Sequence, residues 1–386
     1  VTPLDRIIAS LRGDADIWPA DTDWNDVLTI AERHGVAMQL AHAVPNDVLR
    51  AWSRTATERA FHLARQLRVV VGALNAAGIE VLPIKGPILA ITAYGDPARR
   101  GVSGDLDLVV RLRDFERALA CLLAIGYVRH EGASDAEHEH EQWLREAHFL
   151  PPTLPAAMIE LHTDLVGNAN TTAADLDDVF ARSRVETMFG VAMRMASAED
   201  LLLYLCLHGA RHLWSRLRWV CDVDALIRRT PSIDWQAVVS RAAAIDATQR
   251  LALGLHLAQT MFATPLPASA GVAARIRRGG HVRPPLTIPS ALATPARRLQ
   301  RTTALVARRM DSTSAGRIPA FGLLLASELA VRETFSQRLT YLRAQLTPTP
   351  RDRAWVRLPR HLEWLHVLLR PLRLLTRYGN AYELRR

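Results

Sequence analysis

The chain has almost no lysine. Of its 48 basic side chains, 47 are arginine, and Lys85 is the exception. Compositional bias accounts for the arginines. The retained ammonium marks a position suited to a compact point charge on a flexible stem, and a site facing phosphate is one such place. Cysteine is scarce too: Cys121, Cys206 and Cys221 are odd in number and lack metal-ligand spacing. They read as buried thiols in a reducing cytoplasm rather than a disulfide framework. No uninterrupted apolar run reaches the roughly 18 residues of a membrane span. No basic segment leading into an apolar core opens the sequence, so no signal peptide is expected.

What is present is ordinary for a globular protein. The 386 residues are 49% apolar and 23% charged, enough for two or three domains with a buried core. The net charge of +9 hides a division, because Gly271 to Arg386 carry 22 arginines against six acids. That third has a net charge of +16 and the first 270 residues have −7. The asymmetry suggests that the basic third meets nucleic acid, anionic lipid or the acidic part of the chain itself. Aromatic residues are sparse there and no nucleic-acid motif occurs, so nucleic acid is the disfavoured partner.

Periodicity divides the chain into an N-terminal helical region (1–78), a core of alternating short strands and helices (79–170), a helical region (171–268) and an arginine-rich, mainly helical C-terminal region (269–386). Asp23 and Ser197 are expected helix caps, and Gly78 ends a helix running from about Val48 to Ala77. Strands are expected at 81–84, 106–110, 147–150 and 156–162, and helices at 87–94 and 114–125. From Ala173 the pattern reads as helical. The stretch 129–148 is rich in Glu and His and reads as a solvated face rather than a metal site. Pro265 to Pro295 reads as a connecting arm, and the leucine-rich tail from Trp355 to Tyr382 as helix packed against the body. The class is α/β or α+β, of modest sheet size.

Asp105 and Asp107 are one residue apart on an apolar strand, so both carboxylates project to one face. Two such acids repel unless a divalent cation lies between them, and oxygen-only ligation suits magnesium. Glu160, with His162 two residues on, is the best third carboxylate, completing a set that could clamp an in-line phosphoryl displacement. Lys85-Gly86 at a strand-to-helix junction offers charge and close backbone approach to an oligophosphate. Arg99, Arg100 and Ser103 add candidate phosphate contacts. His208 and His212, at i and i+4, have zinc-compatible spacing. Gly209 replaces the glutamate of a metalloprotease motif, so hydrogen bonding to substrate or structure is the favoured role.

Ile84-Lys85-Gly86, Tyr94-Gly95-Asp96-Pro97, Gly104-Asp105-Leu106-Asp107-Leu108-Val109, Gly126-Tyr127, Glu160-Leu161-His162, Leu203 to His208 and Arg218-Trp219-Val220-Cys221-Asp222 occur in this order. As an ordered set, from about Asp23 to Pro267, they resemble the uncharacterised nucleotidyltransferase group of the DNA polymerase beta superfamily. The resemblance implies an α+β protein with a minimal nucleotidyltransferase mixed-sheet core embedded in helices, a transferase using Mg2+ and a nucleoside triphosphate. By that analogy Asp105, Asp107 and Glu160 hold the metal and carry catalysis, with His162, His208 and Asp222 as candidates for acceptor contact or support. A ribosomally made peptide or a small molecule is the candidate acceptor. The usual Gly-Ser turn is replaced by Lys85-Gly86. Two alternatives stay open: glycosyl transfer from a nucleotide sugar to a modified peptide on the same fold, and a non-catalytic module that binds nucleic acid or protein.

Overall fold

A computed structural model of the chain describes residues 1–14, 17–101, 104–130, 146–152, 157–165 and 175–267. In the C-terminal third it describes 277–278, 281–282, 296–315, 325–326, 329–330, 332, 335–348 and 350–379. Most of the expected connecting arm and most of the Glu/His-rich stretch therefore lie outside the described residues. The class is α+β.

Four helices come first: α1 (Pro3–Arg12), α2 (Trp24–Arg33), α3 (Ala37–Ala43) and α4 (Asp47–Ala76). Asp23 caps α2 by accepting from the Asn25 and Asp26 amides, and Asn46 caps α4 in the same way. The 30-residue α4 buries Leu63, Leu67, Val70, Val71 and Leu74, a stripe at helical spacing. That stripe lies against one face of a five-stranded mixed sheet, which forms the smaller of two cores.

The sheet is built from β1 (Val81–Pro83), β2 (Asp105–Val110), β3 (Val128–Arg129), β4 (Glu146–Leu150) and β5 (Met158–His162), in the order β1-β2-β5-β4-β3. Only the β2–β5 pair is parallel. Between β1 and β2 run α5 (Gly86–Leu89) and a π-helical turn, Ala90–Tyr94. Strand periodicity sorts the side chains. Leu106, Leu108 and Val110 of β2, Ile159 and Leu161 of β5, and Ala147 and Phe149 of β4 enter the core beneath α4 and α6 (Phe115–Ala124). Their alternating neighbours, the acids and histidines, are thereby sent to the opposite face.

That face meets the second core, which is helical. Its elements are α7 (Leu176–Arg182), α8 (Ala198–Arg211), α9 (Leu217–Arg229), α10 (Trp235–Ala244) and α11 (Thr248–Phe262), joined by α1 to α3. Ser197 caps α8 by accepting from the Asp200 amide. Helix α8 is apolar almost all round, as a helix surrounded by others must be. At its end Trp214 is fully buried, and a Cβ on Gly209 would lie 2.5 Å from its ring. Close packing of the indole thus explains the glycine between the two histidines.

Two features depart from the sequence reading. A hairpin, β6 (Arg184–Met188) and β7 (Val191–Met195), interrupts what reads as helix. Its turn places Phe189 and Gly190 at φ 52 and 80, the left-handed pair that a tight two-residue hairpin requires. Phenylalanine in the first of these positions is an unusual turn signal, while Met193 and Met195 bury into the sheet core. The C-terminal region also divides. Helix α12 (Ala296–Ser314) buries Val306 and Met310 in the helical core, so this part of the basic third docks on the body. The final helices, α13 (Phe335–Leu346), α14 (Pro350–Trp355) and α15 (His366–Gly379), pack on one another. They leave Trp364, Leu368 and Leu372 more than half exposed and bury His366 and Arg370.

Candidate active site

The parallel register of β2 and β5 sets Asp107 directly beside Glu160 and Asp105 beside Met158. The antiparallel register of β5 and β4 sets Glu160 beside His148 and His162 beside Glu146. All six polar side chains share the face opposite the α4 core. They floor a cavity of about 600 Å³ whose other wall is α8 and the start of α9. Lys85, on the turn after β1, joins them. Gly86 follows it at φ +59, a conformation that L side chains rarely adopt, and turns the chain into α5.

Lys85 is ion-paired with Asp107, and its Nζ lies 5.9 Å from the Tyr204 ring centroid. Burial alone would depress the ammonium, yet Tyr204 and Asp107 hold its pKa well above the ordinary lysine value. Asp107 is 2% exposed. Burial would raise its pKa, but Lys85 and His162 pull it well below the usual carboxylate range. Its Oδ2 is buried with no hydrogen-bond partner among the described residues.

His162 is the hub of the acid set. Its Nε2 lies 3.6 Å from Asp107 Oδ1 and 3.6 Å from Glu160 Oε2, and its Nδ1 lies 3.6 Å from Glu146 Oε1. Burial opposes its charge, but Asp107, Glu160 and Glu146 outweigh it and raise the pKa to about 9. Glu146 is 3.2 Å from His148. Against the penalty of burial, His148, His162 and Arg211 lower it to about 2. Two groups of donor atoms each fall within 4.8 Å of one another: Asp107, Glu160 and His162, and Glu146, His148 and Glu160. Asp105 lines the same cavity beside them.

The helical wall contributes Tyr204, His208, Arg211, His212, Arg216 and Trp219. His208 and His212 have their ring centroids 4.5 Å apart in an edge-on contact, and His212 stacks on Trp219 at 5.0 Å. Burial holds His208 well below the ordinary histidine value and His212 at about 4. The two imidazoles thus form a neutral aromatic stack, and among the described residues neither belongs to a metal-competent group.

Of the remaining candidates among the described residues, Arg100 alone lines the cavity. Arg100 is buried; its Nε and Nη2 donate to Asp222 Oδ1 and Oδ2 at 2.9 and 2.8 Å, while Nη1 is buried at the cavity edge without a partner. Asp222 is wholly buried, also accepts from the Tyr94 hydroxyl at 2.9 Å, and does not line the cavity. Its position behind Arg100 is not one for contacting an acceptor. Arg99 is exposed and Gly86 is buried, and neither lines the cavity. Ser103 lies outside the described residues. The sequence reading passed over Glu146, His148, Arg211 and Arg216. Their one signal was the i, i+2 spacing of Glu146 and His148 on a strand.

No helix among the described residues is long and apolar enough to cross a membrane. No curated protein and no solved structure matches the chain. A family model described as "Uncharacterised nucleotidyltransferase" matches residues 20–263, spanning the sheet, its acids and the helical wall. The chain therefore belongs to this uncharacterised nucleotidyltransferase family, and with it to the transferases that act on a nucleotide.

Proposed function

We propose that the protein transfers a nucleoside monophosphate from a nucleoside triphosphate to a hydroxyl or phosphate of an acceptor, releasing pyrophosphate. The observation that carries this reading is the β2–β5 register, which sets Asp107 and Glu160 side by side, with Asp105 on the same face and Lys85 above them. The unpartnered, buried Asp107 Oδ2 and the adjoining oxygen donors suit a divalent cation, and Mg2+ is the ion we assign to Asp105, Asp107 and Glu160. Bound there, it supplies charge neutralisation at the phosphoryl group being transferred.

The chain's own residues do the rest. The acceptor oxygen bonds to the α-phosphorus as the bond to the bridging oxygen breaks, and Glu160 accepts the acceptor's proton. Lys85, Arg211 and Arg216 hold the triphosphate; among the described residues neither arginine is ion-paired to a carboxylate. Tyr204, His208, His212 and Trp219 offer apolar ring faces to the rest of the nucleotide. In this division of labour the core at 79–170 supplies the acids and Lys85, and the helical region at 171–268 supplies the two arginines. A peptide or small-molecule hydroxyl is the acceptor class we favour, acted on in the cytoplasm.

The test is incubation with mixed nucleoside triphosphates, nucleotide sugars and candidate acceptors, read by product mass and pyrophosphate release. A product heavier by a nucleoside monophosphate, formed with Mg2+ and lost in Asp105→Asn, is expected. A product heavier by a hexose, or activity retained in Asp105→Asn, overturns the assignment.

A further inference from the structure

The last helix turns its apolar side to water and its polar side to the protein. Trp364 closes the 3-10 turn Arg360–Leu365 that leads into α15, and Leu368 and Leu372 follow at intervals of four residues. That spacing places the three on one helix face, where each is more than half exposed and Val367 is exposed beside them. His366 and Arg370, on the opposite face, are buried. Asp352 of α14 fixes this orientation: it is itself buried and accepts from both Arg370 and Arg373. Rotating the stripe inward would break a buried ion cluster and leave its carboxylate uncompensated. Helix α13, which packs on α15, is built alike, with Phe335, Leu339 and Leu346 at i, i+4 and i+11 exposed on one face.

We propose that these C-terminal helices dock on an anionic lipid surface, lying in the headgroup layer with Trp364, Leu368 and Leu372 inserted among the acyl chains. The surface is separate from the acid face and does not depend on the reaction assigned there.

Charge selects this occupant. Residues 335–379 hold nine arginines against two acids, Asp352 and Glu363. Arg370 and Arg373 are paired with Asp352, which leaves seven arginines against Glu363. An anionic bilayer offers both complements in one surface, headgroup charge for the guanidinium groups and hydrocarbon for the stripe. Tryptophan suits that boundary, because its ring is apolar and its N–H is polar. Nucleic acid would answer the arginines and leave the leucines in water. An acidic protein would need a groove shaped to a convex helix, whereas fluid acyl chains need none. No helix among the described residues is long and apolar enough to cross a membrane, so the contact is with the surface.

The test is flotation of the full chain with vesicles of phosphatidylcholine alone and of phosphatidylcholine mixed with phosphatidylglycerol. Binding to the mixed vesicles, far weaker to the neutral ones and reduced by salt, is expected. Trp364→Ser, Leu368→Ser and Leu372→Ser should each lower the partition coefficient about tenfold, as withdrawal of one large apolar side chain from hydrocarbon does. The triple variant should not float with the vesicles, while its circular dichroism and melting temperature stay those of the parent, because the stripe packs against nothing. Light scattering without lipid tests the competing occupant, a second copy of the chain. A parent dimer that the triple variant converts to monomer, binding to neither vesicle, or binding unchanged in the triple variant overturns the proposal. None of these results bears on the transfer reaction, whose failure would appear as turnover retained in Asp105→Asn.

Discussion

The only lysine of the chain closes on Asp107, so the ammonium that reads as a phosphate hand is also the counter-charge of a buried acid. Asp107 is nearly inaccessible and Lys85 only slightly less so, with side-chain exposures of 1% and 11%. In such surroundings neither charge is stable alone.

Lys85→Met should therefore cost stability as well as activity, by about 3–5 kcal/mol, the range for breaking a buried pair by removing one partner. The double variant Lys85→Met/Asp107→Leu should recover most of that loss, since it leaves no orphan charge. Urea denaturation of the four proteins in the cycle measures the coupling. Additive losses would mean that the pair contributes nothing.

Arginines on the helical wall should behave differently from Arg100. Arg211→Ala and Arg216→Ala remove cations that, among the described residues, form no ion pair with a carboxylate, so folding should change less than for a buried pair. Nucleotide affinity should fall about ten- to hundred-fold for each, the equivalent of one or two charge-assisted hydrogen bonds. Arg100→Met instead leaves Asp222 buried and uncompensated, and should destabilise by about 3–5 kcal/mol. Nucleotide titration and thermal melts on the same samples separate the two classes.

Much of the acid face is legible in the sequence because strand periodicity fixes it. Once Leu106, Leu108 and Val110 are assigned to a core, Asp105 and Asp107 must share the other face; the same argument holds for Glu160 and His162. Glu146 and His148 were not legible as part of it, because their place depends on an antiparallel register with β5 that no local signal sets. Composition blurred the cations. Among 47 arginines neither Arg211 nor Arg216 stands out, whereas one lysine does. Arg100 lines the cavity, but its pairing with Asp222 could not be read locally because that partner is 122 residues away in the chain. The β6–β7 hairpin escaped because phenylalanine occupies a left-handed turn position usually held by asparagine or aspartate.

Gly209 carries a prediction of its own. In an exposed helix, Gly→Ala gains up to about 1 kcal/mol of propensity. Here the new Cβ would lie 2.5 Å from a wholly buried indole that also abuts Gly254. Overpacking of this kind costs about 1–3 kcal/mol and exceeds the gain. Gly209→Ala should lower the melting temperature, and Gly209→Ala/Trp214→Phe should recover part of the loss by making room.

The acid limit of stability should be set in part by His34, which does not itself line the cavity. Its imidazole is wholly buried where α2 ends. Nδ1 accepts from the Leu217 amide at 3.2 Å, and Nε2 lies 2.8 Å from Ser314 Oγ, whose hydroxyl donates to the Met310 carbonyl. Only the neutral ring with its proton on Nε2 satisfies this chain. A second proton on Nδ1 would face the Leu217 N–H. Burial first, and then Arg216, lower the pKa to about 4. The unfolded chain takes up this proton near pH 6.5 and the folded chain does not. Stability from this group is therefore complete above about pH 6.5 and is lost as pH falls toward about 4, by about 3 kcal/mol. His162 has the opposite sign. Its raised pKa gives stability that is complete below about 6.5 and lost as pH rises through about 9. His208 and His212, lowered by burial, steepen the acid limb alongside His34. His34→Asn keeps an acceptor for the Leu217 amide and cannot be protonated. Denaturant unfolding between pH 4 and 7 should show its acid limb flattened by about 3 kcal/mol relative to the parent. An unchanged slope would mean that His34 takes up its proton over the same pH range in the folded and unfolded states, and that the contact of Ser314 with α2 does not sense acid.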